Sequence, residues 1–220
     1  LPNVDSTTIK DLENMVREYP DFCYPLMGLH PTSVKENFEN ELELVANYIA
    51  LNKVYGIGEI GIDLYWDKTF QQQQERAFRY QINLAKQNSL PIVIHARNSF
   101  DEIFKIMHQE IDENLKGIFH AFTGSPKQAK QIQEWGFYIG IGGIVTFKNA
   151  DLDQVVNTID ISHVVLETDS PYLAPVPKRG KRNESAYLKY IAEKIAEIKG
   201  LSIDDVAEIT TINAKKVFNI

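Results

Sequence analysis

Apolar residues along this chain fall into short unbroken runs, separated by longer stretches where they recur every three or four positions. The short runs predict buried strands and the longer stretches predict amphipathic helices. Residues 1–4 read as the end of a strand. Asp5-Ser6-Thr7-Thr8 then opens a helix, with Thr8 and Asp11 as a capping-type start and Pro20 as its stop. The apolar run 22–29 ends at His30-Pro31, and 39–51 predicts a helix with Leu42, Val45, Ala46 and Ile49 on one face. A strand over 54–59 ends at Glu59 and gives way to a loop carrying Tyr65 and Trp66. The helix over 69–87 places Phe70, Ala77 and Leu84 at seven-residue spacing, with Phe78 and Ala85 beside them.

The same beat continues. A strand over 90–94 ends at His95, and a helix spans about 99–112. A strand over 117–119 ends at His120. Ser125-Pro126 starts a helix that Gly136 stops, and a strand over 137–141 runs into Gly142-Gly143. A short helix near 152–157 precedes a strand over 164–167 that leads to Asp169-Ser170-Pro171. Residues 184–199 read as a helix with Leu188, Ile191, Ala192 and Ile195 inward, and 202–218 as two shorter helices.

Strands that are apolar on both faces and separated by helices predict a parallel sheet covered on both sides. Strand ends at Val4, His30, Glu59, His95, His120, Gly143 and Asp169 give seven βα units in 220 residues. That is close to the rate of a (β/α)8 TIM-like barrel of about 250 residues, with the first βα unit absent. A doubly wound open sheet is the competing topology, but no Gly-rich phosphate fingerprint follows the first strand. The expectation is one domain over residues 1–220.

Composition narrows the class. With 44% hydrophobic residues the chain can build one sizeable core, and no apolar run approaches the roughly 18 residues of a membrane span. The single cysteine, Cys23, points to a reducing compartment, and a cytoplasmic location is expected. A net charge of −7 argues against coating nucleic acid by charge alone, yet leaves room for a local basic rim such as Lys178-Arg179-Gly180-Lys181-Arg182.

Five of the seven strand ends carry residue types that ligate metals: His30, Glu59, His95, His120 and Asp169. Parallel strands of a closed barrel all end on one face, so residues distant in sequence converge there. His108 and His163 fall elsewhere and read as ordinary residues. Mixed imidazole and carboxylate suit Zn or Mn, and more carboxylate and water would favour Mg. Two cations sharing a carboxylate would polarise a phosphoryl or carbonyl oxygen and acidify a water, with Asp169 as ligand and proton acceptor. Gly58 and Gly61 beside Glu59 read as room for such a metal pair.

These residues resemble a known family. Gly28-Leu29-His30-Pro31, Gly58-Glu59-Ile60-Gly61-Ile62-Asp63, His95-Ala96-Arg97, His120-Ala121-Phe122-Thr123-Gly124, Glu167-Thr168-Asp169-Ser170-Pro171-Tyr172 and Arg182-Asn183-Glu184 are similar to motifs of the TatD-like metal-dependent deoxyribonucleases. These are TIM barrels of the amidohydrolase-like superfamily. The resemblance implies hydrolysis of DNA phosphodiester bonds, as a 3′-to-5′ exonuclease on single strands or 3′ ends, with two divalent metals (Mg, Mn or Zn). It implies that Glu59 bridges the metals, that His95 and His120 complete one site, and that Asp169 serves the other metal and the catalytic water. His30, Arg97, Lys178, Arg179 and Arg182 are suited to gripping phosphates, and Tyr65, Trp66 and Tyr172 to stacking on a base. Two departures stand out. Ser185 replaces the Pro usual after Asn183-Glu184. The family's first-strand His-x-His pair is missing, which implies a fragment with ligands for one metal complete. The alternatives are an amidohydrolase or esterase acting on a small molecule, and a non-catalytic barrel with an incomplete metal site.

Overall fold

A computed structural model describes residues 1–220. The chain divides into two compact units, Leu1–Gly117 and Ile118–Ile220. Within the first unit, β1 (Leu26–Met27), β2 (Gly56–Asp63) and β3 (Ile92–Arg97) are parallel neighbours, interleaved with α1 (Ile9–Glu18), α2 (Phe38–Leu51), α3 (Gln71–Asn88) and α4 (Phe100–Glu110). Residues 1–4 add the strand remnant expected of them, with Pro2 bridging to Leu26 in parallel sense. The second unit begins at the second residue of β4 (Gly117–Phe119); β4, β5 (Tyr138–Ile141) and β6 (Val164–Leu166) are parallel neighbours, alternating with α5 (Pro126–Glu134), α6 (Leu152–Thr158), α7 (Leu188–Lys199) and α8 (Ile203–Phe218).

Each unit has its own apolar packing. Leu29, Val34, Phe38, Leu42 and Ala77 form one buried cluster in the first, with Phe70 against it. Ile118, Tyr138, Val165 and Val217 form another in the second, with Ala214 and Phe218 against it. The face expected on α2 is buried through Leu42, Val45 and Ile49, joined by Phe38.

Three differences from the sequence reading have clear physical causes. Thr8 is the N-cap position of α1 but makes no side-chain cap bond there; the capping box lies one turn earlier, at Asp5. The Asp5 carboxylate accepts the Thr7 N–H at 3.0 Å and Thr8 Oγ1 accepts back from the Asp5 N–H, so a 3₁₀ turn (Ser6–Thr8) leads into α1. β2 does not end at Glu59 but runs on to Asp63. The tail is one helix, α8, rather than two. Its polar residues Thr210 and Asn213 turn inward without breaking it. Buried Thr210 donates to the Val206 carbonyl, and Asn213 donates to the carbonyls of Ile161 and Val164 at 2.8 and 2.7 Å.

Helix α3 carries a second inward polar pattern. Gln74 and Gln81, seven residues apart, are buried beside Ala77 and Phe78. Gln81 accepts the Leu29 N–H at 2.7 Å and donates to the Leu29 carbonyl at 3.3 Å. Gln74 does the same at Asp63, at 2.8 and 3.3 Å. One helix therefore holds the backbone at the end of β2 and the backbone just before His30.

Candidate metal centre

In the first unit, strand register places Glu59. Gly58 pairs with Val93 and Ile60 with Ile94, so the register shifts at Glu59 and leaves it out of the ladder. A bulge of this kind re-aims one side chain while the strand continues. Glu59 is the one residue of β2 that is not fully buried. The glycines beside it serve the neighbouring strands rather than a metal pair. A Cβ on Gly61, whose φ is +143°, would lie 2.1 Å from the His95 carbonyl oxygen. A Cβ on Gly58 would lie 2.7 Å from the Val93 Cβ, and one on Gly28 would meet the Gly58 backbone at 3.1 Å. The glycines let β1, β2 and β3 approach closely, and that approach sets where Glu59 points.

Around Glu59, one candidate ligand atom from each of His30, Glu59 and His95 lies within 4.8 Å of the others. The partners of the two imidazoles fix which nitrogen each offers. His95 Nε2 is 2.9 Å from Asp63 Oδ2, and Asp63 is 2% exposed. Burial alone would raise the Asp63 carboxyl, but hydrogen bonds from His95 and from the Tyr65 and Trp66 N–H groups hold it below the usual carboxylate range. An ionised Asp63 can only accept, so His95 Nε2 is the donor of this pair and Nδ1 is the ring nitrogen that would ligate a cation. His30 is arranged the other way. The Thr32 N–H, which can only donate, reaches His30 Nδ1 at 3.2 Å, so the ring proton sits on Nε2, 3.6 Å from Glu59 Oε2. His30 thus presents a donor toward the Glu59 carboxylate, while Glu59 and His95 present ligand atoms. That donor set, one carboxylate and one imidazole with a carboxylate behind it, fits a divalent cation.

The remaining residues expected in this unit meet one another. Arg97, at the exposed end of β3, lies over Tyr65 at 4.0 Å and Trp66 at 5.3 Å from the ring centroids. The guanidinium expected to hold a phosphate and the two rings expected to stack on a base therefore lie together.

In the second unit His120 directly follows β4, and Asp169 lies three residues beyond β6. Between Asp169 and the end of β6 is a residue that the sequence reading left without a role. Glu167 Oε1 accepts the Ala121 N–H at 2.7 Å and lies 3.9 Å from His120 Nδ1. A Cβ on Gly140 would meet Glu167 Oε2 at 2.2 Å, so only glycine leaves this carboxylate its place. Asp63 was missed in the same way. Both stand inside the quoted motifs, at the fourth residue after Glu59 and the second before Asp169.

Backbone strain gathers at the same place. Ala121, Asp169 and Leu173 have φ of 44°, 56° and 54°, in the left-handed region that non-glycine residues rarely adopt. All three line one small cavity together with Glu167, Thr168, Gly142 and Gly143. Its free volume, about 10 Å³, is near what one water molecule requires. Such strained residues persist only where the surroundings over-determine them. Here buried Asn183 supplies much of that constraint. Its amide donates to the carbonyls of Thr168 and Tyr172 at 2.7 and 2.6 Å, and its N–H donates to Pro171 O at 3.0 Å. Asn183 therefore ties down both ends of the Asp169 turn.

The basic run 178–182 is divided. Arg179 stacks over Phe147 at 4.4 Å and Lys178 lies over Tyr187 at 5.3 Å, while Lys181 and Arg182 are exposed. Tyr172 is 70% exposed. As expected, His108 and His163 stand apart: His108 is exposed in the last turn of α4, and His163 packs against Tyr138.

A family model described as TatD related DNase matches residues 1–219. A Bacillus subtilis protein described as the uncharacterized metal-dependent hydrolase YabD is 43% identical over 217 residues, covering 98% of this chain and 85% of that one. The 3′-5′ ssDNA/RNA exonuclease TatD of Citrobacter rodentium is 31% identical over 214 residues, covering 94% of this chain and 81% of that one. Among solved structures, the Escherichia coli K12 TatD homologue YJJV matches with a TM-score of 0.93 at 25% identity, over 100% of this chain and 85% of that one. That likeness shows the α/β TIM-like barrel class expected from the strand–helix beat.

Proposed function

The chain belongs to the TatD-related DNase family of metal-dependent hydrolases, and from that premise we propose that it cleaves phosphodiester bonds of single-stranded nucleic acid, releasing nucleotides from 3′ ends. The observation that carries the reading is the His95–Asp63 pair beside Glu59, an imidazole whose tautomer is set for a cation. Glu59, His95, His120 and Asp169 are the proposed ligands of two divalent cations, Mg, Mn or Zn. Bound there, the cations supply charge neutralisation at the phosphoryl group and a more acidic water.

The chain's own groups do the rest. Asp63 keeps His95 in one tautomer. The His30 Nε2–H, on a ring held by Thr32 and 3.6 Å from Glu59 Oε2, donates to a phosphoryl oxygen of the substrate. Asp169 accepts the water proton, and Asn183 fixes the turn that presents it. Arg97 and the cations of residues 178–182 hold substrate phosphates. A cytoplasmic location is part of the proposal, supported by the single cysteine; no helix is long and apolar enough to cross a membrane.

The test is release of mononucleotides from a 3′-labelled single-stranded oligodeoxynucleotide. The wild-type chain with Mg²⁺ or Mn²⁺ is expected to release label, excess chelator to stop release, and Asp169→Asn to slow it by roughly 100-fold or more. Undiminished release by Asp169→Asn would remove the proposed proton acceptor.

A further inference from the structure

A second cavity in the second unit shares only Arg179 with the groups assigned so far. It has a free volume of about 600 Å³ and is lined by Ile144, Phe147, Lys148, Asn149, Ala150, Val176 and Arg179. That volume lies in the range of small-molecule sites, about 300–1,000 Å³. The walls combine two chemistries. Phe147 offers an aromatic face within an apolar floor of Ile144, Ala150 and Val176, while Lys148 and Arg179 bring two cations. The Arg179 guanidinium carbon sits 4.4 Å from the Phe147 ring centroid, so a cation and an aromatic ring meet in one wall of the cavity. Asn149 adds an amide that can both donate and accept.

Its position matters as much as its lining. Ile144 also lines the small strained cavity of Asp169 and Glu167, so the two adjoin through one side chain. The segment between them is held in place: Thr146 Oγ1 accepts the Val176 N–H at 2.8 Å and donates to the Gly143 carbonyl at 2.7 Å. Thr146 thus links the segment after β5 to the segment carrying the basic run.

We propose that this cavity is a nucleotide subsite, in which an unpaired base stacks on Phe147 and the adjoining phosphate is held by Arg179 and Lys148. The occupant is the nucleotide unit next to the scissile bond of a single strand. Aromatic stacking accepts any base, and the two cations match the phosphate charge. The assignment rests on the proposed function above and names residues for its substrate. It adds Phe147 to Tyr65, Trp66 and Tyr172 as an aromatic surface for the substrate.

The experiment uses the full chain in excess chelator, so that binding is read without hydrolysis. The probes are short oligonucleotides carrying 2-aminopurine at the 3′-terminal unit, one a deoxy strand and one a ribo strand. Wild type is expected to quench the fluorescence in at least one arm. Phe147→Leu keeps an apolar side chain without a π-face, and should abolish quenching and weaken binding by roughly 5- to 100-fold. Phe147→Tyr should retain both, and Arg179→Gln should weaken binding in low salt more than in high salt. Quenching and affinity that are the same in Phe147→Leu as in wild type would overturn the subsite. With metal restored, wild type that binds and quenches but releases no nucleotide would refute the proposed function and leave the subsite standing.

Discussion

At the scale of single residues, the site is set less by its ligand atoms than by the groups behind them. The ring of His95 could turn either nitrogen outward, and Asp63 selects which. Asp63→Asn replaces a group that only accepts with one that can also donate, and so releases the tautomer. Affinity for Mn²⁺ or Zn²⁺ should fall by about 10- to 100-fold in Asp63→Asn, read by titration calorimetry. Unchanged affinity would mean that Asp63 is only a buried partner. Gly140 plays the equivalent part for Glu167. In Gly140→Ala a methyl would stand 2.2 Å from Glu167 Oε2, so the carboxylate must leave its bond to Ala121. The expected result is a stability loss of about 1–3 kcal/mol in urea denaturation. The ligand types themselves stood out in the sequence as imidazoles and carboxylates interrupting or following apolar runs, although Glu59 and His95 lie within β2 and β3 rather than at their ends. Asp63 and Glu167 were not singled out, because a carboxylate that works through a neighbour has no strand-end signature of its own.

At the scale of elements, periodicity located the strands and helices, and failed where polar side chains turn inward. α8 was expected as two helices, yet it is one, and its inward Thr210 and Asn213 satisfy backbone carbonyls in the interior. β2 looked as if it ended at Glu59 because a carboxylate breaks an apolar run. The bulge lets the strand carry that residue and continue to Asp63. α3 was expected from Phe70, Ala77 and Leu84, but its inward Gln74 and Gln81 were invisible to an apolar pattern. Gln81→Leu leaves both the N–H and the carbonyl of Leu29 unpaired in a buried setting. It should cost about 1–3 kcal/mol for each group left unpaired. The start of α1 gives a pH signature. Hydrogen bonds from the Thr7 side chain hold the Asp5 carboxyl below its usual value against the opposing effect of burial, with Ser33 and the Thr7 N–H adding to them. The contribution is therefore present above the unfolded carboxylate pKa of about 3.9, and is lost as pH falls through the lower folded value. Asp5→Asn keeps a capping oxygen without the titration. It should lose less stability than wild type between pH 5 and pH 3, roughly the window of that carboxylate, in thermal melts.

At the scale of the molecule, the fold class was legible because a βα beat without a phosphate fingerprint leaves few architectures. The whole-chain likeness to a TatD homologue at a TM-score of 0.93 bears that reading out. An acidic chain of net charge −7 that acts on nucleic acid must hold its substrate through local cations and aromatic faces. Those of Arg97, Lys148 and Arg179 are all found at ring faces or cavity walls. The central claim is that Glu59 holds divalent cations which drive phosphodiester hydrolysis. Its most direct test is metal content and nucleotide release measured together on wild type and Glu59→Gln, both first shown to be folded by circular dichroism. The account predicts that wild type retains metal and releases nucleotides from single-stranded DNA, while Glu59→Gln loses bound metal and its release falls to background. A folded Glu59→Gln protein with wild-type metal content and wild-type release would contradict it.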